Sequence, residues 1–434
     1  MKTGLYSAQF STYSQGLPEV KLSGEELMSK VLNRRWMLHI PDTEIHRIKL
    51  SPLQQLNRDG PSGNFSLLNH TKLCFGDDLV EKGNEDPFFY VVRDDLLHPL
   101  VNGNKARKLD ALLPLLADHS VTDVVTCGGC QSAHAAAVAV SCAERGIKSH
   151  LLLRGEQPEV LTGYNLISTL YGDITYAPRS IYAHRVNMLK NHADLVAGNT
   201  GHILWCNDIL EASLSAQSST SSSGHVDALG TTKNHHKKVA IINEGAGDVA
   251  ALLGVTRLLQ YLCQNHLFGK ERPIKLVLDA GTGTTAIGLG IGALCLGLPW
   301  EVTAVMLADT INSYKKQEKK LISDFRTLFG FHLTDHCLNE VDGVVHWIGR
   351  CHQRKFGNIL EGEIETCQRI AQQTGILVDP VYTLAAWEMA TQLSKEEMEG
   401  GAQVVMLHTG GTLGMFGLAQ RYKPYFRKLK DGLS

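Results

Sequence analysis

A lysine lies where a glycine turn meets a predicted helix. Gly103 and Asn104 precede Lys105, and the leucines within residues 105–116 recur on one helical face. The positive potential at the start of a helix favours the neutral, nucleophilic form of a lysine amine. A neutral amine is what Schiff-base formation with an aldehyde cofactor requires. Taken alone, such a lysine is more often solvated, so this interpretation depends on the rest of the chain.

A second candidate segment covers residues 127–134, between a predicted strand and a predicted helix. Ser132 stands where its hydroxyl either caps the helix or faces a ligand, and these two interpretations are compatible. The spacing of Cys127 and Cys130 is also that of a redox pair. The favoured interpretation is that these cysteines are two small apolar side chains beside a glycine turn.

A third segment, residues 279–286, is typical of a strand, a glycine-rich turn and a helix start. The free N–H groups of such a turn bind anions, which suits a phosphate. The residues that would surround the phosphate are Gly281, Thr282, Gly283, Thr284 and Thr285. The turn also fits the G-x-G-x-x-A dinucleotide fingerprint, with Asp309 as the ribose-binding acid. An NAD(P)-dependent oxidoreductase is therefore a genuine alternative, and a purely structural turn is another.

A tyrosine and a second glycine turn complete the candidates. Tyr382 follows Asp-Pro-Val, where it either contacts a ring ligand or is a buried aromatic in a turn. The predicted strand 404–408 is followed directly by Thr409 and Gly410.

The elements between these segments alternate between strands and helices, which predicts a two-domain, mostly parallel α/β protein. In open α/β sheets, ligands lie beyond the carboxyl ends of the strands, and each candidate segment follows such an end. We expect a large cofactor-binding domain formed by residues 61–107 and 239–434, and a small α/β domain formed by residues 108–212. Residues 1–60 are expected to form an N-terminal extension, and residues 213–238 a disordered polar loop.

Composition excludes several classes of function. Lys and Arg number 42 against 44 Asp and Glu, which gives no electrostatic reason to expect nucleic acid. The longest apolar stretch, 286–300, is shorter than the roughly 20 residues of a membrane span. The ten cysteines lack the density of a disulfide scaffold, which favours a reducing compartment. We therefore expect a soluble protein with neither membrane nor nucleic-acid partners.

The N-terminus slightly favours targeting over a disordered tail. It is rich in Ser, Thr and Tyr and has no acidic residue before Glu19, although its first arginine is Arg34. The mitochondrion is the expected compartment, with cytoplasm or plastid as alternatives. The loop histidines (His225, His235 and His236) are interpreted as solvated residues, and no metal site is expected.

Together the four segments resemble pyridoxal-phosphate enzymes of the tryptophan-synthase β type (fold type II). The nearest branch is D-cysteine desulfhydrase and 1-aminocyclopropane-1-carboxylate (ACC) deaminase, and the resemblance runs from about residue 88 to 417. The family's GNK-x-RKL segment matches residues 103–109. The resemblance implies that Lys105 forms the Schiff base with the cofactor and that Asn104 binds it.

The remaining motifs extend this resemblance. The family's GG-x-QSNH matches residues 128–134, which implies a cofactor contact for Gln131 and a position near the substrate carboxylate or α-carbon for Ser132. The resemblance implies that the turn at 281–285 binds the cofactor phosphate and that Tyr382 is the active-site tyrosine.

Two threonines separate the two activities of this branch. ACC deaminases tend to have Glu at position 383 and Leu at 409, whereas this chain has Thr383 and Thr409, which is similar to D-cysteine desulfhydrase. The resemblance implies a cofactor contact for Thr383 and places Thr409, with Gly410 beside it, near the pyridine nitrogen. A neutral threonine would leave that nitrogen unprotonated, a milder electron sink that suits a good leaving group such as thiolate.

The resemblance implies a homodimeric lyase that converts D-cysteine, or L-cysteine, to hydrogen sulfide, pyruvate and ammonia. An ACC deaminase-like or other amino-acid deaminase is the alternative within the family. Two positions depart from the family's pattern: Ala133 replaces an asparagine, and Phe356 replaces a tyrosine. They leave open a non-catalytic protein that binds the cofactor.

Overall fold

The computed structural model describes residues 24–51, 64–67, 86–101, 103–219, 236–330 and 343–430. The strands in these ranges are β1 (Ile45–Ser51), β2 (Asn64–Leu67), β3 (Phe88–Val92), β4 (Asp123–Gly129), β5 (Lys148–Arg154), β6 (Asp173–Ala177), β7 (His202–Trp205), β8 (Lys238–Ile241), β9 (Ile274–Ala280), β10 (Trp300–Met306), β11 (His346–Gly349) and β12 (Gln403–Leu407). The helices are α1 (Gly24–Leu32), α2 (Asn104–Asp118), α3 (Ala133–Ala143), α4 (Gly163–Tyr171), α5 (Arg179–Tyr182), α6 (Arg185–Ala197), α7 (Cys206–Ser219), α8 (Val249–Leu262), α9 (Thr284–Leu296), α10 (Ile311–Phe329), α11 (Glu363–Thr374), α12 (Thr383–Gly400), α13 (Gly414–Arg421) and α14 (Lys423–Arg427).

The strands form two sheets, which confirms the expected mostly parallel α/β fold. The larger sheet has the order β11-β10-β9-β12-β3-β1-β2, and the smaller one β6-β5-β4-β8-β7. All pairs of the smaller sheet are parallel. In the larger sheet β1 runs antiparallel to both β2 and β3, and the other pairs are parallel. Parallel strands are buried on both faces, which explains continuous apolar runs such as Phe88–Val92.

Helices α2, α8 and α9 pack side by side in the main hydrophobic core. Gly254 on α8 lies so close to α2 that a Cβ there would overlap the Arg107 carbonyl oxygen. Because only glycine allows this approach, α2 is held firmly against the core. Its first turn carries the candidate lysine.

Residues 24–51 differ from the expected extension outside the main fold. Leu27 and Val31, four residues apart on α1, are fully buried in the main core. On β1, Ile48 lies opposite Phe89 of β3, and both side chains are fully buried. Burial of these apolar side chains makes this part of the N-terminal region integral to the large sheet, whereas residues 1–23 lie outside the described residues.

The predicted boundary near residue 239 also needs correction. Residues from 239 onwards are expected in the large domain, but β8 (Lys238–Ile241) pairs with β4 and β7 in the smaller sheet. Val239 and Ile241 are fully buried there, which gives the physical reason for that pairing. The predicted loop 213–238 begins inside a helix, because α7 continues to Ser219. Residues 220–235 lie outside the described residues.

Candidate active site

The candidate segments converge on the carboxyl ends of parallel strands. The lysine helix α2 comes after β3, residues 129–133 follow β4, residues 281–285 follow β9, and residues 409–411 follow β12. The order β9-β12-β3 in the larger sheet brings three of these segments side by side. This edge is where open α/β sheets bind ligands.

Gly103 sets the start of the lysine helix. It caps α2 with φ 65° and ψ −149°, a conformation that is essentially restricted to glycine. A Cβ on Gly103 would overlap the carbonyl group of Thr409. The Asn104 N–H donates to that same carbonyl oxygen at 3.2 Å. The first turn of α2 is therefore fixed directly against the end of β12.

A buried ion pair holds the same turn from the other side. The Arg107 guanidinium donates to both carboxylate oxygens of Asp94, with distances of 3.0 and 2.7 Å. Arg107 also donates to the Pro41 carbonyl oxygen at 2.8 Å. Two parallel bonds between a guanidinium and a carboxylate fix orientation as well as distance.

Lys105 is connected by hydrogen bonds to the predicted phosphate turn. Its Nζ donates to Asn104 Oδ1 at 2.8 Å, and Asn104 Nδ2 donates to Thr285 Oγ1 at 2.9 Å. Desolvation lowers the pKa of Lys105 to about 8, against an opposing effect of the Asp279 carboxylate. About a tenth of the amine is therefore neutral at pH 7 and about half at pH 8, far more than for an ordinary lysine. Burial, rather than the helix terminus invoked from the sequence, is the main cause.

A second lysine lies one helical turn further along α2. The Lys108 side chain is buried, and its Nζ donates to the Gly245 carbonyl oxygen at 2.9 Å. Burial lowers its pKa well below the usual value, and the charge of Lys105 lowers it further. Its bond to a backbone carbonyl indicates a structural role for Lys108, whereas the Lys105 side chain is only partly buried.

The turn after β9 has the geometry of an anion site. Gly283 caps α9 with φ 80°, and the hydroxyls of Thr282 and Thr284 lie 3.2 Å apart. The first N–H groups of a helix have no partner within the helix, so they are available to an anion together with these hydroxyls. Thr284 and Thr285 are themselves buried.

Tyr382 lies beside this turn. A Cβ on Gly281 would be 3.5 Å from Tyr382 Cε1, an ordinary contact distance. The ring of Phe356 packs edge-on against Tyr382, with centroids 5.6 Å apart and planes inclined by 77°. Phe356 therefore remains next to the predicted active-site tyrosine, although it lacks the hydroxyl that the family pattern has there.

The loop carrying Tyr382 is organised by Asp379. Its carboxylate accepts the backbone N–H groups of Val381 and Tyr382, both at 2.9 Å, and that of Thr383 at 3.2 Å. The Thr383 hydroxyl also donates to Asp379, at 3.0 Å. Thr383 is fully buried. The structure therefore places Thr383 as a support for the loop, and its predicted cofactor contact stays a prediction.

Thr409 and Asp279 form a buried pair that the sequence analysis missed. The Thr409 hydroxyl donates to the Asp279 carboxylate across the β9–β12 boundary. Burial is the largest effect on Asp279 and raises its pKa to about 6, while the bond from Thr409 opposes that rise. The sequence signal that could have found Asp279 is an acid in the last turn-facing positions of an apolar strand, just before a glycine-rich turn. Gly410, with φ 93°, follows directly.

The segment after β4 shows mainly supporting contacts. Ser132 caps α3 by accepting the Ala135 N–H at 3.2 Å. Gln131 donates to the Thr162 carbonyl oxygen at 2.9 Å and accepts the Tyr164 N–H at 3.0 Å. These bonds hold the start of α4, and the predicted ligand contacts of Gln131 and Ser132 remain predictions.

Other chemistries receive less support from the geometry. Burial raises the pKa of Cys127 to about 12 and also raises that of Cys130, which disfavours reactive thiolates. The cysteines in the described residues are free thiols. Across the same residues, no group of three or more His, Cys, Asp or Glu side chains is arranged to hold a metal. None of the helices described is long and apolar enough to cross a bilayer.

No family model matches the chain. A protein of Oryza sativa subsp. japonica named "Putative D-cysteine desulfhydrase 2, mitochondrial" is 51% identical over 418 residues, which span 94% of this chain and 98% of that protein. The chain belongs to the D-cysteine desulfhydrase and ACC deaminase family of pyridoxal-phosphate enzymes. An Arabidopsis thaliana protein of this family is named "Bifunctional D-cysteine desulfhydrase/1-aminocyclopropane-1-carboxylate deaminase, mitochondrial". It is 23% identical to this chain over 75% of it and 73% of its own length.

A solved structure gives independent support for the fold. The crystal structure of an ACC deaminase homologue matches with a TM-score of 0.58 and 22% identity, over 77% of this chain and 88% of that one. Family membership favours a pyridoxal-phosphate protein over an NAD(P)-dependent one. Binding of the phosphate by the turn after β9 stays a prediction.

Proposed function

We propose that this protein is a pyridoxal-phosphate-dependent lyase that cleaves the carbon–sulfur bond of D-cysteine. The reaction consumes one water and yields hydrogen sulfide, pyruvate and ammonia, without net oxidation or reduction. The observation that carries the proposal is the hydrogen-bonded path from Lys105 through Asn104 to Thr285. It joins an amine of lowered pKa to the helix start that would bind a phosphate. The rice relative's name supports the choice of substrate.

The residues present fit both the aldehyde group and the phosphate group of pyridoxal phosphate. The aldehyde needs a neutral amine, and Lys105 has a pKa of about 8. The phosphate needs N–H and hydroxyl donors, which the turn at 281–285 offers at the start of α9. When bound, the cofactor withdraws electrons from the substrate's α-carbon.

The chain's own groups would then perform distinct tasks. The Lys105 amine accepts the α-proton once the substrate has displaced it, and Asn104 fixes the position of that amine. Ser132 orients the substrate carboxylate, and Tyr382 borders the phosphate turn. Thr409 would lie at the ring nitrogen, as the family resemblance implies. Thr285 and Thr409 are buried, and polar interactions are stronger where water is excluded.

ACC is the second candidate substrate. The Arabidopsis relative's name supports it, since that name carries both activities. The threonines at 383 and 409 favour D-cysteine. Thr383 also has its hydroxyl bonded to Asp379, where it supports the loop. We further propose a homodimer, and a mitochondrial location that the names of both plant relatives support.

The test is product formation by the purified chain loaded with pyridoxal phosphate. Sulfide and pyruvate should appear in equal amounts with D-cysteine, and Lys105→Ala should abolish both. Lys148→Ala, at an exposed lysine on β5, is the matched control and should keep full activity. A bound cofactor with no products from D-cysteine, L-cysteine or ACC would support the non-catalytic alternative.

A further inference from the structure

One buried acid next to the site has no task in the reaction as proposed above. The Asp279 side chain at the end of β9 is only 4% exposed, and Thr409 at the end of β12 is 7% exposed. The hydroxyl of Thr409 donates to the Asp279 carboxylate. An ionised carboxylate is costly to bury, so a position beside a cofactor cleft calls for a compensating partner.

The charged groups around Asp279 come from two segments, α2 and the loop before α12. Lys105 on α2 stabilises its ionised form, whereas Asp379, before α12, opposes it. Lys108, deeper on α2, also interacts with Asp279. Because the pKa of Asp279 is raised to about 6, the carboxylate is mostly ionised at neutral and alkaline pH. The pair therefore carries a negative charge under the conditions in which Lys105 becomes neutral.

The bond to Asp279 limits the hydrogen bonds that the Thr409 hydroxyl can form with a bound ligand. A hydroxyl has one proton to donate and two lone pairs, and an ionised carboxylate can only accept. Since the Thr409 proton is committed to Asp279, the hydroxyl faces any further partner only as an acceptor. That partner must be a donor.

We propose that Asp279 is a positioning residue that, through Thr409, keeps the ring nitrogen of bound pyridoxal phosphate protonated. This inference rests on the proposed function, which places Thr409 at that nitrogen. The nitrogen takes its proton from water and donates it in a hydrogen bond to Thr409 Oγ1, while Thr409 donates to Asp279. An unprotonated nitrogen would instead accept the single Thr409 proton. The buried Asp279 carboxylate would then lose its hydrogen bond from Thr409, which is unfavourable.

The consequence differs from the expectation drawn from Thr409 alone. A neutral threonine suggests an unprotonated ring and a mild electron sink. A threonine bonded to a buried carboxylate instead presents a negatively polarised oxygen, and the protonated ring is the stronger electron sink. Such a site would accept substrates whose β-leaving group is poorer than thiolate, such as the hydroxyl of D-serine.

The test is the 15N chemical shift of the ring nitrogen in 15N-labelled pyridoxal phosphate bound to the full-length protein. This shift changes strongly on protonation and does not depend on turnover. The wild type should show the protonated position near neutral pH. Asp279→Asn should move the resonance to the unprotonated position, since the amide preserves shape but removes the charge. Thr409→Val should do the same.

Asp248→Asn is the matched control. Asp248 is also buried with a pKa raised to about 6, but it accepts from Asn243. Its variant should keep the protonated shift. A wild-type resonance at the unprotonated position overturns the proposal, as does an unchanged shift in Asp279→Asn or Thr409→Val. The wild-type result decides even if a variant fails to fold. Failure of the cofactor to bind wild type at all instead refutes the proposed function on which this inference rests.

Discussion

Replacing Gly103 by alanine should damage the site far more than its backbone strain alone predicts. The φ of 65° and ψ of −149° at Gly103 strain any other residue by about 1–3 kcal/mol. The new Cβ would also overlap the Thr409 carbonyl group and come within 2.5 Å of the Gly410 nitrogen. The bond from the Asn104 N–H to Thr409, worth about 1 kcal/mol, would be lost as the two segments part.

The chain contains a matched control for this substitution. Gly198 ends α6 with φ 63° and ψ −158°, nearly the same conformation, yet a Cβ there would meet nothing within 4 Å. Gly198→Ala should therefore show the strain alone, about 1–3 kcal/mol in the free energy of unfolding. Gly103→Ala should cost about 2–4 kcal/mol, the strain plus the lost hydrogen bond.

Activity should separate the two variants more clearly than stability. Relieving the overlap requires α2 to move by about 1 Å from β12, and a misplacement of that size lowers kcat/KM by roughly 100-fold. Gly198→Ala should leave kcat/KM unchanged. The assays are chemical denaturation and sulfide release from D-cysteine. Equal kcat/KM values for the two variants would refute the claim that contact with Thr409 positions the lysine helix.

Three further predictions follow from the same contacts. Asn104→Ala removes the bonds to Lys105 and Thr285 and should weaken cofactor binding about tenfold in a spectroscopic titration, and unchanged affinity would contradict this path. Arg107→Ala leaves the buried Asp94 carboxylate unpaired and should lower the free energy of unfolding by about 3–5 kcal/mol, whereas a loss below about 1 kcal/mol would contradict burial of the pair. The rate of cofactor capture by the apoprotein should rise with pH and level off above about 8, as Lys105 loses its proton, and a flat profile from pH 6 to 9 would contradict the assignment.

The local parts of the site could be predicted from the sequence. A strand, a glycine turn and a helix start are contiguous in the chain, so the segments around Lys105, Gly281 and Thr409 were recognisable before their distances were known. Their common edge follows from the rule that ligands lie at the carboxyl ends of parallel strands. Family resemblance supplied the order of the motifs.

The nonlocal contacts could not be predicted in this way. Thr409 and Asp279 are 130 residues apart in sequence, and their pairing depends on β12 lying beside β9. No local pattern specifies that neighbour relation. The same holds for β1, where Ile48 is flanked by Arg47 and Lys49, so that the sequence gave little sign of its burial against β3.

One element that was not predicted, helix α10, does have a recognisable pattern in the sequence. Helix α10 was not predicted, although Tyr314, Leu321 and Phe325 recur at helical spacing and are all buried. Its many lysines gave the segment a polar composition that masked the apolar face. The hydrophobic period would have been the better guide.

The most direct test of the central claim is to locate the cofactor on the chain. Reduction with borohydride converts a Schiff base to a stable pyridoxyl-lysine, which peptide mapping by mass spectrometry assigns to one residue. Lys105 should carry the modification, and Lys108 should be unmodified because its amine is bonded to the Gly245 carbonyl oxygen. Modification of Lys108 or of any other lysine, or of none after pyridoxal phosphate is supplied, would contradict it.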